Sequence, residues 1–124
     1  MFDRQLERVL QELPQQVRDF MEEVPLVVDD YPSLEIMRAA RVRSRWALCG
    51  LYTGVPLSER SIRYSAVGPD VIHIFREGIL RLARGNGAGI DADCLREQIR
   101  VTILHEYGHH VGLTEEDLGE LGYG

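Results

Sequence analysis

Apolar side chains near the start of the chain recur at steps of three and four residues: Leu6, Val9, Leu10, Leu13, Val17, Phe20 and Met21. That spacing draws one stripe along a helix surface and predicts helix over residues 3–23. Pro14 interrupts it. Proline lacks an N–H and restricts the residue before it, so the segment is expected as two short helices or one broken near Leu13. The polar face carries acidic residues as often as basic ones, so the stripe is expected to pack on the chain's own core and not on a membrane. The period then shortens. Leu26, Val27 and Val28, followed by Asp29, Asp30 and Pro32, predict a strand ending in a turn, and Pro25 places it at a sheet edge or marks its beginning.

Between residues 33 and 50 the pattern is weaker. Leu34, Met37, Ala40 and Trp46 can share a helix face, while Arg38, Arg41, Arg43 and Arg45 form a local basic cluster. The cluster is read as a solvated face set against the surplus of carboxylates, or else as a site for an anion or acidic partner. Residues 51–56 (Leu51 to Pro56) read as a loop. Alternation over Ser61–Val67, turn chemistry at Gly68, Pro69 and Asp70, and a second alternating run over Val71–Phe75 predict a β-hairpin, with His73 as a half-buried sheet residue. A short helix is expected from about Glu77 to Arg84. Residues 85–89 hold three glycines in five positions but match neither the Walker nor the dinucleotide spacing, so they predict a plain loop. A longer helix starts after Asp91 or Asp93, either of which can cap it, and runs to Val111. Gly112 supplies the left-handed residue that commonly ends a helix.

The chain has 124 residues, of which 44% are hydrophobic. That is enough for a buried core, too much for a disordered chain, and of a length for one domain over residues 1–124. No apolar run approaches a membrane span, and the charged N-terminus lacks a secretory core, so a cytoplasmic protein without a membrane partner is expected. The net charge of −6 argues against nucleic acid as a partner. All basic residues are arginine, and no residue pattern explains that. Cys49 and Cys94 have no close Cys or His at zinc-knuckle spacing and are expected as buried thiols, not a disulfide.

The chemistry concentrates at the end of the long helix, where the chain reads His105-Glu106-Tyr107-Gly108-His109-His110. Residues four apart lie on one helix face with Cβ atoms about 5–6 Å apart. His105 and His109 can therefore reach one zinc ion. Glu106 is turned by about 100° from His105, so its carboxylate stands beside the ion, where a base can take a proton from a metal-bound water. A catalytic zinc site needs a third protein ligand and an open position. Beyond Gly112 the chain can fold back with Glu115, Glu116 and Asp117. Glu115 takes first place because it stands where the extended pattern His-Glu-x-x-His-x-x-Gly-x-x-(His/Asp) puts its third ligand, followed by Asp117 and then Glu116. His110, about 100° from His109, cannot easily share the ion. It is a candidate packing residue, or a support for a ligand or oxyanion. Tyr107 and Tyr64 are candidate oxyanion donors.

These residues, with Gly50 to Leu57 and Ser61 to Phe75, resemble the small zincin-like metallopeptidase family of bacteria. The resemblance implies an α+β fold, a minimal zincin with a small twisted sheet packed on the active-site helix. It also implies zinc at His105 and His109, with Glu106 as general base. The expected function is zinc-dependent peptide hydrolysis of a peptide or protein substrate. The substrate would lie along the edge of the 61–75 hairpin, with backbone near Ile62–Ala66 or Ile72–Phe75 lining the cleft. The rival is a non-catalytic zinc module that binds a peptide or protein partner.

Overall fold

The structure is a computed structural model that describes residues 1–54, 70–84 and 89–123. The first strand of the expected hairpin, its turn residues Gly68 and Pro69, Tyr64 and most of the glycine-rich loop lie outside the described residues. The broken apolar stripe forms two helices, α1 (Phe2–Glu12) and α2 (Gln15–Glu23), with Pro14 as the N-cap of the second. Pro25 directly precedes β1 (Leu26–Asp29). Ser33 then caps α3 (Leu34–Ala40), accepting a hydrogen bond from the Ile36 N–H. This helix stops at Arg41, whose φ of 58° is left-handed, so Trp46 lies beyond it and not on its face.

Residues 50–53 correct the loop expectation: Gly50–Thr53 is a strand, β2. Gly54 and Pro56 carry strong turn signals, and they mask a run of Leu, Tyr and Thr that is strand-prone by itself. β3 (Val71–Phe75) follows, then α4 (Arg76–Arg84), α5 (Ala92–Val111) and α6 (Glu115–Glu120). The three strands form a mixed sheet in the order β1-β3-β2. β1 runs parallel to β3, pairing Leu26 with Ile72, and β2 runs antiparallel to it, pairing Tyr52 with Ile72. β3 is therefore central, with both edges paired. Its backbone at Ile72–Phe75 cannot accept an extended substrate, contrary to one of the two cleft positions expected.

The core explains why α5 is the axis of the molecule. Leu95, Ile99 and Ile103 are fully buried, and Tyr107 nearly so. At four-residue steps they form one stripe, which meets Ile72 and Ile74 of the sheet and Leu6 and Val9 of α1 in a single cluster. Each such side chain contributes about 1.5–3 kcal/mol on burial. Asp91 caps α5, accepting from the Asp93 N–H, and Gly112 ends it at φ 102°. The fold is α+β, and among the described residues it is a three-stranded mixed sheet with helices packed on it. No helix among the described residues is long and apolar enough to cross a membrane.

Candidate metal centre

The last two turns of α5 sort their side chains by angle. His110 falls close to the line of the core stripe, and His105 lies nearly opposite Ile103 on the outer face. His110 is accordingly buried at 1% exposure, edge-on to the rings of Phe20 and Tyr52. Its Nδ1 lies 3.2 Å from the Tyr52 hydroxyl and 3.5 Å from an Asp70 carboxylate oxygen. His105 and His109 are only partly covered, with their rings 4.8 Å apart.

After Gly112 the chain turns back. Thr114 and Asp117 form a capping box: the Thr114 hydroxyl accepts from the Asp117 N–H, and the Asp117 carboxylate accepts from the Thr114 N–H. This box starts α6, which the apolar pattern did not reveal. It also engages Asp117 as a cap, and those hydrogen bonds hold its carboxyl below its usual range. Glu116 is exposed and outside the donor cluster. α6 lies close against α5 where residue 108 is glycine: a Cβ there would run into Leu118 Cδ2. That approach brings Glu115 over the two histidines.

His105 Nε2, His109 Nε2 and a Glu115 carboxylate oxygen converge. The nitrogens are 3.2 Å apart, and Glu115 Oε1 lies 2.8 Å from His109 and 3.3 Å from His105. Ligands about 2.0–2.1 Å from one ion in a tetrahedral arrangement stand about 3.3 Å apart, so the spacing matches a zinc donor set. The other ring nitrogens settle the tautomers. His105 Nδ1 donates to the Tyr123 carbonyl at 2.6 Å, and His109 Nδ1 donates to the Leu113 carbonyl at 3.2 Å. A carbonyl only accepts, so each Nδ1 carries a proton, and Nε2 is the ring nitrogen left to face a metal. Two imidazole nitrogens and a carboxylate facing one point are a donor set that could hold a cation. Among the described residues, these three are the group able to hold a metal.

Glu106 stands beside them, 8% exposed. Burial pushes its carboxyl above the ordinary range, while His105, His109 and a hydrogen bond from the Tyr52 N–H oppose that rise. The Glu106 side chain also packs on β2, since a Cβ on Gly50 would come within 3.2 Å of its Cγ. The Cys49 thiol is pushed up to about 11, by burial first and by Glu106 second; Cys94 is free but exposed and not buried as expected, because it lies in the first turn of α5 beside the capping Asp91. A cavity of about 240 Å³ opens here, lined by Gly50, Thr102, His105, Glu106 and Tyr123 among others.

Other expected residues are elsewhere. The Tyr107 hydroxyl is buried in the core and donates to the Val24 carbonyl at 2.9 Å, so it offers no oxyanion donor at the site. His73 stacks on Phe75 and lies outside the donor group. Tyr52, Leu113 and Tyr123 were not foreseen. Two of them act through backbone carbonyls, which every residue carries, so no side-chain pattern marks them. Tyr52 lies on β2, whose strand character the turn signals of Gly54 and Pro56 mask.

A family model described as zincin-like metallopeptidase matches residues 21–124. No curated protein matches the chain. The matched stretch contains α5, α6 and the whole sheet, and the chain belongs to the zincin-like metallopeptidase family.

Proposed function

We propose that this member of the zincin-like metallopeptidases hydrolyses peptide bonds with zinc held by His105, His109 and Glu115. The observation that carries the reading is the convergence of three donor atoms beside a buried carboxylate that is itself no part of the donor set. When bound, zinc supplies a Lewis acid for the scissile carbonyl and lowers the pKa of water. Glu106, next to the cavity, accepts the proton of the attacking water and delivers it to the departing amine. The Tyr52 N–H orients the Glu106 carboxylate, and the Tyr123 and Leu113 carbonyls hold the two imidazoles in the ligating tautomer. Among the described residues three donors converge and not four, and Glu115 is 72% exposed at its side chain, which supports a site with a position open to solvent.

The test is Glu106→Gln. The variant is expected to retain zinc at wild-type stoichiometry by elemental analysis and to lose cleavage of a peptide library by about 10²–10⁴-fold. Full cleavage by this variant would remove Glu106 from its role. A zinc-loaded wild type that cleaves nothing would favour the non-catalytic module.

A further inference from the structure

The cavity beside Glu106 does not end there. It shares Ala47, Cys49 and Leu82 with a larger neighbour of about 650 Å³, which reaches Trp46 and Arg81. A third cavity of about 230 Å³ continues over the same Trp46 and Arg81 to Arg84 and Glu77. The three adjoin in sequence from the metal centre to a basic end.

The basic end is held in place by aromatic rings. The Trp46 ring stands edge-on to Tyr31 at 5.1 Å. The Arg45 guanidinium lies 4.3 Å from the Tyr31 centroid and 5.5 Å from that of Trp46, and Arg81 lies 5.6 Å from Trp46. An arginine stacked on an aromatic face keeps its in-plane N–H donors available for a carboxylate. Three other arginines are ion-paired, Arg76 with Asp3 and Asp30, Arg96 with Asp93 and Arg100 with Glu97, while among the described residues Arg4, Arg8, Arg18, Arg38, Arg41 and Arg43 stand apart from any carboxylate but line none of these three cavities. Among the described residues, Arg45, Arg81 and Arg84 have no carboxylate within ion-pair distance. Glu77 is the acidic residue on this wall, against Arg81 and Arg84 beside it and Arg45 behind Trp46. In a chain of net charge −6, such a patch at the end of a groove is selective for negative charge over short range. The acidic remainder is screened beyond about 8 Å at physiological salt.

We infer that this end of the groove is a subsite for an acidic side chain of the peptide substrate, with the carboxylate held by Arg81 and Arg84 against the Trp46 ring. The inference rests on the peptidase reading for the word substrate. Its test does not depend on cleavage. Trp46 is the chain's single tryptophan, so intrinsic fluorescence reports this position alone. Zinc-loaded Glu106→Gln protein is titrated with a capped alanine peptide carrying adjacent glutamates, and with the same peptide carrying glutamines. The acidic peptide is expected to change Trp46 fluorescence saturably, more weakly as salt rises, while the glutamine peptide binds roughly tenfold or more weakly. In Arg81→Glu/Arg84→Glu, both positions being exposed, the preference is lost with zinc content and circular dichroism unchanged. Equal titration by both peptides, no titration by either, or an unaltered preference in the double variant overturns the subsite. Cleavage by the wild type without acidic preference overturns it too and leaves the peptidase reading standing. Acidic-peptide binding by a wild type that cleaves nothing leaves the subsite standing and removes the peptidase reading.

Discussion

At the scale of single residues, the site depends on which face of α5 each side chain occupies. Two adjacent histidines differ completely: His109 meets Glu115 at the surface, and His110 is enclosed beside Phe20 and Tyr52. The four-residue step and the turn after Gly112 made His105, Glu106, His109 and the acidic run readable in the sequence. The choice among the three carboxylates was not fully readable, because it depends on Thr114 taking Asp117 as a cap. The burial of Glu106 has a measurable consequence in metal-free protein. Desolvation raises its carboxyl above the ordinary 4.5, so the folded chain holds that proton to a higher pH than the unfolded chain does. The stability this confers is complete below about pH 4.5 and is lost as pH rises through the folded-state value. Glu106→Gln cannot lose it. In chelator, the variant's Tm is therefore expected to pull ahead of wild type as pH rises from 4.5 toward neutrality. A Tm difference that stays constant across that range would show that Glu106 titrates as an exposed carboxyl.

At the scale of elements, the sequence was most legible where one pattern dominated. The stripe of Leu95, Ile99 and Ile103 and the break at Pro14 are local, and α1, α2 and α5 follow from them. β2 is not legible locally, because pairing with β3 and packing on α5, not local turn signals, determine its conformation. Gly50 is where that packing is tightest. A Cβ at this position would lie 3.0 Å from the His73 carbonyl oxygen, 3.0 Å from Thr102 Cγ2 and 3.2 Å from Glu106 Cγ. A backbone oxygen and two side chains rooted in a buried helix cannot all give way. Gly50→Ala is expected to destabilise the protein by about 1–3 kcal/mol in urea unfolding. It should also slow cleavage with zinc retained, since β2 carries the N–H that orients Glu106 while the metal donors lie on α5 and α6. Wild-type stability in this variant would mean that β2 stands further from α5 than the structure places it.

At the scale of the whole molecule, the metal centre and the core share a helix but use opposite sides of it. α1 lies outside the residues matched by the family, yet Leu6 and Val9 are buried in the same cluster as Leu95, Ile99 and Ile103. The proposed metal donors belong to the outer face of α5 and to α6. If the core only presents α5 and does not shape the donor set, stability and metal binding should add. Leu6, 8% exposed, tests this. Leu6→Ala is expected to cost about 2–5 kcal/mol in chelator through the cavity it leaves. Zinc at about a hundred times its Kd should add about 2.7 kcal/mol to the folded state of wild type. Independent sites add within about 0.3–0.5 kcal/mol, so Leu6→Ala should gain nearly the same increment. His109→Ala should keep wild-type packing of α1 and gain much less. An increment that shrinks in Leu6→Ala would mean that α1, though beyond the family's matched residues, holds His105 and His109 in their ligating positions.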